Sequence, residues 1–345
     1  MKTPLIIEIL DESRRDEWDA YIDKNDLSIA WQRWEWHDIL KKHYPHEYFP
    51  IAALQDNRIC GVFPAYRLHD KASRNSLISV PFAVAGGVVS DSPDIEKTLI
   101  DYTIELAKKN QCDSIVLKQY KHKVASDLRT DDTFFNRELS LTGGLDGVWN
   151  RLDPINRDMI SKAKNDEFTL EYPCTNFDVF YKVLLSHHHC QGIPCVSKAW
   201  VEDLITSSMY SMALVFCKGQ PIAGTMVKTF KKTVSFPFTA LNRNNDLSQR
   251  AVYWLYWKLI SLYSKNGFEI IHSGRIPADE SVPQFRLGWG GNKNPYFYQY
   301  FPNIGRSTES SVKRGLKRRI FGKLWRLMPK FIAATLGPKI VRKFP

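Results

Sequence analysis

The chain has 345 residues, 43% of them hydrophobic, and a net charge of +11. That length exceeds the usual single domain and predicts two domains of roughly 150 residues, and the apolar content excludes a disordered protein. The charge is unevenly placed: the forty residues from Arg306 carry twelve Lys/Arg and one Glu, leaving residues 1–305 with 36 groups of each sign. A broad basic groove for nucleic acid across the body is therefore not expected. Six scattered cysteines without a repeating spacing point to reduced, buried thiols rather than a disulfide framework. The first apolar run is too short for a signal peptide, and no stretch approaches the roughly 18 uncharged residues of a spanning helix, so the body is expected to be cytoplasmic.

In chain order, PLIIEIL reads as a strand and is followed by helical patterns around Arg14–Ile22 and Trp31–His43. YFPIAALQDNRICGVFPAYRLHD reads as a hairpin turning at Gln55-Asp56-Asn57-Arg58. NSLISVPFAVAGGVVSD is a strand running into a turn from Pro81 to Gly86-Gly87. A Ser-Asp-Ser-Pro signal opens the helix DIEKTLIDYTIELAKKN, and CDSIVLKQY reads as a buried strand. Asp153-Pro154 starts the helix that contains NRDMISKAK and leads into the strand FTLE. FDVFYKVLLSHHH and SKAWVEDLIT are helices. Residues 211–241 form a three-stranded meander turning at Lys218-Gly219-Gln220 and Lys231-Lys232. LSQRAVYWLYWKLISLYSKNG is a long helix stopped by Gly267, and FEIIHSG is the next strand. The order helix pair, antiparallel meander, helix, strand thus occurs twice, with a seam near residue 150.

Several segments carry candidate chemistry. In HSGRIPADESVPQFRLGWGG, Arg275 and Arg286 suit bidentate capture of phosphate or carboxylate; the alternative is surface pairing with Asp279 and Glu280. Trp289 reads either as a stacking platform for a sugar or base or as core. Gly86 and Gly87 would let backbone N–H groups approach a ligand, or form a plain turn. Arg157 and Lys164, two turns apart, lie on nearly one helix face, which either meets a ligand or is simply solvated. In HHHCQGIPC the consecutive histidines diverge and lack convergent partners, so no metal is expected; His187 or His189 reads as a partly charged substrate contact. No Ser/His/Asp or Cys/His constellation emerges. The junction LNRNNDLSQRAV before the long helix has no glycine, which disfavours a pyrophosphate cradle and hence a standard CoA site.

After Arg306, apolar residues at three-to-four spacing (Val312, Leu316, Ile320, Leu324, Leu327, Met328, Phe331) oppose a basic face that includes Lys313, Arg314, Lys317, Arg318 and Arg319, with Trp325 at the border. This pattern predicts a helix lying on an anionic membrane surface; an RNA-binding arm and an ordinary packed helix are the alternatives.

Taken in order, PFAVAGG, NRDMISKAKNDEFTLE, FYKVLLSHHHCQGIP, KGQPIAGTMV and HSGRIPADESVPQFRLGWGG ahead of YFYQYFP resemble the FemAB-like branch of the Gcn5-related N-acyltransferase (GNAT) superfamily, especially members associated with exopolysaccharide or cell-envelope gene clusters. The resemblance implies an α/β (α+β) fold of two tandem GNAT-like domains, each a mixed, mostly antiparallel sheet flanked by helices. These are placed at residues 1–150 and 151–305, with the amphipathic tail at 306–345. It further implies an N-acyltransferase without a tightly bound cofactor. Aminoacyl-tRNA or acyl-CoA would be the donor, and the acceptor an amine of a phosphorylated or lipid-linked envelope precursor, at the inner face of the membrane. Direct attack by the amine needs positioning and oxyanion stabilisation but no covalent intermediate. Asp279 and Glu280 are candidate bases by location alone. The family's Phe-Lys pair is Phe285-Arg286 here, and Ile276 stands where the family has serine after Gly-Arg. A non-catalytic GNAT-fold scaffold in envelope polysaccharide synthesis is the alternative function.

Overall fold

Hydrophobic period and turn chemistry divide the chain into short strands and amphipathic helices. The computed structural model describes residues 4–68, 75–124, 128–278, 284–301 and 311–343, with the backbone alone at 284 and 311–318. The elements, in order, are β1 (Ile6–Ile9), α1 (Arg15–Lys24), α2 (Trp34–His43), β2 (Glu47–Gln55), β3 (Arg58–Leu68), β4 (Ser76–Ser79), β5 (Val89–Ser90), α3 (Pro93–Lys109) and β6 (Ser114–Tyr120). There follow β7 (Arg129–Ser140), α4 (Gly144–Arg151), α5 (Pro154–Ala163), β8 (Phe168–Glu171), α6 (Phe177–Gln191), α7 (Lys198–Thr206), β9 (Tyr210–Cys217), β10 (Gln220–Phe230), β11 (Thr233–Ser235) and β12 (Ala240–Leu241). The last are α8 (Ser248–Lys265), β13 (Ile270–His272), β14 (Ile276–Pro277), α9 (Gln284–Leu287), β15 (Asn292–Phe301), α10 (Ser311–Leu327) and α11 (Lys330–Val341).

Local signals account for many of the ends. Asp56 and Asn57 take positive φ (51° and 59°) between the paired Gln55 and Arg58, the two-residue turn that matches strand twist. Lys218 and Gly219 do the same between Cys217 and Gln220. Ser92 caps α3 from Ile95 N–H with Pro93 in the first turn, and Asp153 caps α5 from Ile155 N–H ahead of Pro154. Gly192, at φ 72°, ends α6 with its own N–H on His189 O and that of Ile193 on His188 O.

The compact units are Met1–Phe135 with Asn294–Ser307 and Lys343–Pro345, and Asn136–Lys293 with Thr308–Arg342. In the first, the strand order is β1-β2-β3-β4-β6-β15, antiparallel except for the parallel β4/β6 pair spanned by α3. Its core gathers Ile51, Phe63, Leu77, Leu99 and Leu117, all close to fully buried; each such side chain contributes roughly 1.5–3 kcal/mol of burial free energy. In the second, the order is β8-β9-β10-β11-β13, followed by the C-terminal part of β7, antiparallel except for the parallel β11/β13 pair spanned by α8. Its core joins Val215, Ala223, Val227 and Val234 of the sheet to Ala251, Leu255 and Leu259 of α8.

The duplication expected from element order is present strand by strand. A strand, a helix pair, three antiparallel strands, a helix and a parallel strand run from β1 to β6 and again from β8 to β13. The strand after each repeat is exchanged. β15 follows β13 but pairs with β6, Tyr298 opposite Lys118; the end of β7 follows β6 but pairs with β13, His272 opposite Glu138. Neither unit is therefore a continuous run of sequence.

The tail helices belong to the second unit, where α10 and α11 pack against α6. Close backbone approach makes this fit. A Cβ on Gly192 would lie 2.4 Å from Gly322 O, and one on Gly337 would lie 2.7 Å from Cys195 O. His189 Nε2 donates to Met328 O at 2.8 Å. No helix among the described residues is long and apolar enough to cross a membrane.

Candidate active site

The chemistry of the second unit gathers on one row across its sheet. Tyr210 pairs with Lys228, Lys228 with Ser235, Ser235 with His272, and His272 with Glu138. Directly opposed residues point to the same face, so four strands and the end of a fifth present one line of polar side chains. Val234 and Ile271, one position earlier, point the other way into the α8 core. At the centre of the row His272 Nε2 lies 3.3 Å from Glu138 Oε1, with the two side chains 21% and 14% exposed. Lys228 stands two strands away, roughly 10 Å by Cα spacing. Burial draws its ammonium down from 10.5 to about 7.

Asn136 and Ser273 complete the histidine's surroundings. Asn136 Nδ2 is 3.1 Å from His272 Nε2, Ser273 Oγ donates to Asn136 Oδ1 at 3.1 Å, and Arg137 N–H donates to Ser273 Oγ at 2.8 Å. As drawn, this set fits a neutral imidazole with its lone pair at Nε2. Turning the Asn136 amide over, with the Ser273 hydroxyl donating to Gly274 O instead, fits a protonated Nε2 donating to Glu138. The network thus accommodates either neutral tautomer of the ring, and the one with Nε2–H on Glu138 leaves the Nδ1 lone pair to accept a proton.

The row lies where two parallel strands part. β11 and β13 pair through Ser235 and His272 and then diverge. Beyond that point, Pro237 O accepts from Met226 N–H and keeps company with β10, while Ser273 N–H donates to Arg137 O and stays with β7. The β11/β13 pairing thus ends beside the His272–Glu138 pair, and each strand continues along its outer neighbour.

The loop after β13 is built on this frame. Arg286 Nη2 donates to Ser273 O at 3.1 Å and to Arg275 O at 3.0 Å, so Arg286 ties the loop down while Arg275 is exposed. Of the two readings of Trp289, the structure has the core: it is buried (7%) in a cluster with Tyr253, Tyr256 and Phe285. The glycines around it serve close packing. A Cβ on Gly288 would lie 2.2 Å from Asn156 Oδ1, and one on Gly291 2.6 Å from the Glu138 backbone. Asp279 and Glu280 lie outside the described residues.

The other expected contacts are placed elsewhere. Gly86 and Gly87, in the first unit, are buried and line a small pocket with Gln32, Gln119 and His122. Gln32 Nε2 donates to Gly87 O at 2.7 Å, and a Cβ on Gly87 would strike the Gln119 amide at 2.1 Å. Arg157 is half-buried on α5. Lys164 sits 6.0 Å from the Trp149 ring and lines an apolar groove of about 410 Å³ with Trp254, Trp257, Lys258 and Lys265. His187 and His189 are both buried (8%) and take structural partners, not substrate positions: Leu241 N–H and Gln191 for the first, Met328 O for the second. Arg319 is exposed, the side chains of Lys313, Arg314, Lys317 and Arg318 lie outside those described, and Trp325 is buried (3%) rather than at a border. No cluster of three metal-ligating side chains occurs among the described residues.

The turn leading into α8 is held by the protein's own groups. The N–H groups of Asn244, Asn245, Leu247 and Ser248 are held by Asn242 and Asn245, and Arg250 grips Asp166 through two bonds of 2.8 Å.

No known protein family matches the sequence as a whole, and no curated protein matches it. Solved structures do match in fold. FemX superposes with a TM-score of 0.66 at 11% identity, covering 92% of this chain and 100% of its own. The C-terminal domain of a putative lysylphosphatidylglycerol synthetase from Agrobacterium fabrum gives 0.59 at 11% identity, with 89% and 96% covered. A tandem GNAT protein from the clavulanic acid biosynthesis pathway gives 0.52 at 13% identity, with 86% and 98% covered. The chain therefore shares its fold with FemX and with a tandem GNAT protein, an α/β architecture of mixed sheets flanked by helices.

His272, Glu138, Asn136 and Lys228 were not singled out in the sequence. His272 opens the arginine-bearing stretch itself, but its partners lie on β7, whose sequence RTDDTFFNRELS lacks a clean alternation of apolar and polar residues.

Proposed function

We propose that the chain is an acyltransferase that moves an aminoacyl or acyl group onto an amine of a cell-envelope or exopolysaccharide precursor, working at the inner face of the membrane. The observation that carries this reading is the row Lys228–Ser235–His272–Glu138 at the point where β11 and β13 part. The fold it shares with FemX, a lysylphosphatidylglycerol synthetase domain and a tandem GNAT protein supports the same class of reaction.

With Nε2–H held by Glu138, His272 has its lone pair on Nδ1 and takes the proton from the attacking amine. The amine nitrogen bonds to the donor carbonyl carbon, the carbonyl C–O or C–S bond breaks, and the departing oxygen or sulfur takes a proton from the Lys228 ammonium. No covalent enzyme intermediate is needed. Arg275 and Arg286 border the loop and favour an anionic group of the acceptor or donor. The glycine-free turn ahead of α8, with its N–H groups held by Asn242 and Asn245, favours an aminoacyl ester such as aminoacyl-tRNA over acyl-CoA as donor.

The test is single-turnover transfer from aminoacyl-tRNA and, separately, from acyl-CoA to amine-bearing envelope precursors. Product from the ester donor, lost in His272→Asn with unchanged melting, supports the reading. Absence of turnover with either donor alongside tight precursor binding would instead favour the non-catalytic scaffold.

A further inference from the structure

The docked tail turns three stripes in three directions. Along α10 and the residue after it, Phe321, Trp325 and Met328 recur at i, i+4 and i+7; Trp325 is buried and stacks on Phe321 at 5.5 Å, while Phe321, at the edge of this stripe, is 39% exposed. The next stripe, with the same spacing, is Ile320, Leu324 and Leu327, which are 52%, 63% and 81% exposed. The third is Arg319, Lys323 and Arg326, all exposed. Phe331 at the start of α11 prolongs the apolar stripe and is 74% exposed. Packing against α6 has therefore used one face of the tail and left outward a face that is half large-aliphatic and half cationic.

We infer that this outward face is a docking surface for an anionic lipid bilayer, with Ile320, Leu324, Leu327 and Phe331 entering the headgroup boundary and Arg319, Lys323 and Arg326 meeting lipid phosphates. Apolar side chains this exposed are unfavourable in water, and a contiguous patch of them marks an interaction surface. The adjoining basic stripe selects what covers it. Residues 311–343 contain eleven Lys/Arg and no Asp or Glu, so two copies of this face would repel each other, whereas an anionic surface attracts it. RNA would use the charge but leave the aliphatics in water. Since Trp325 and the glycine contacts hold the helix from behind, the face is presented preformed by the folded unit rather than inserted as a loose arm. The inference deepens the proposed working place at the membrane, but lipid binding by this face does not depend on transfer chemistry.

The full-length chain is to be co-sedimented with phosphatidylglycerol vesicles and with phosphatidylcholine vesicles, at low and high salt, beside the variant Leu324→Asp/Leu327→Asp. Both positions are exposed, so the variant keeps the fold. The expected result is binding to phosphatidylglycerol vesicles, weaker at high salt, and at least about tenfold weaker in the variant. Failure of the wild-type chain to bind these vesicles, or equal binding by the variant, overturns the inference. So does a wild-type dimer in solution that the variant dissolves, which would assign the face to a second copy, or binding to RNA with none to vesicles. Transfer to a water-soluble acceptor, measured in parallel, is unaffected by the variant, so loss of that activity in the wild type would refute the proposed function and leave the docking surface standing.

Discussion

His272 and Glu138 face each other across β13 and β7, Nε2 to Oε1 at 3.3 Å, although β7 belongs by sequence to the end of the first repeat. The exchange of β7 and β15 thus supplies the second unit's histidine with its carboxylate. For a base so arranged, His272→Asn should lower kcat by about 10²–10⁴-fold, the usual worth of general base catalysis. Glu138→Gln should lower it less and displace the acid limb of the pH–rate profile downward, because a carboxylate favours the imidazolium that an amide does not. Equal activity of wild type and His272→Asn would remove His272 from the mechanism.

Lys228 carries its own pH signature. Its folded value, about 7, lies below the 10.5 of the unfolded chain. Between those limits the unfolded state holds a proton that the folded state has released, so stability should rise with pH across that window. The slope for one proton is at most about 1.4 kcal/mol per pH unit. Below pH 7 the penalty of charging the desolvated amine of this half-buried lysine is fully present. Lys228→Met should flatten the dependence in urea titrations at pH 7, 8.5 and 10, and an unchanged slope would assign the lysine an ordinary value.

Arg286 is a test of geometry against charge. Its Nη2 reaches two carbonyl oxygens, Ser273 O and Arg275 O, from one planar group. A lysine keeps the charge but carries it on a flexible stem, without the planar group that fixes the donor directions. Arg286→Lys should therefore reduce kcat/KM by about tenfold and Arg286→Ala by about a hundredfold, on the usual scale of a charge-assisted bond. Full activity of Arg286→Lys would show that the loop needs only a positive charge there.

How far the sequence announced all this follows from how local each signal was. Asp56-Asn57, Ser92-Pro93, Asp153-Pro154 and Gly267 stop or start elements through their own backbone preferences, and the structure places turns and caps at each. The repeat was legible because element order survives without sequence identity. Strand exchange was not, since pairing partners of β7 and β15 are chosen by the whole sheet rather than by either segment. The same distance hid Glu138 from His272. Trp289, Trp325 and His189 mark the opposite limit: each residue type suits a ligand or a core equally, and burial decided for the core in all three. At Gly86-Gly87 the sequence likewise did not show what would meet a side chain, since Val80 faces the first glycine and Gln119, a residue on another strand, the second.

The docking of the tail can be broken without touching its exposed face. A side chain at Gly337 must enter space held by the Cys195 backbone, with Cβ 2.7 Å from its oxygen and 3.1 Å from its nitrogen, and backbone cannot swing aside as a flexible side chain does. Gly337→Val should therefore oppose docking by about 1–3 kcal/mol, the range for overpacking a closed contact. His189→Ala, which loses one bond of 2.8 Å to Met328 O, should oppose it by about 1 kcal/mol. Hydrogen exchange of α10 amides is the direct measure: faster exchange in both variants, larger for Gly337→Val, with the β9–β10 amides unchanged. If α10 exchanged at the wild-type rate in Gly337→Val, the contact would be dispensable and the tail held by Trp325 and its neighbours instead.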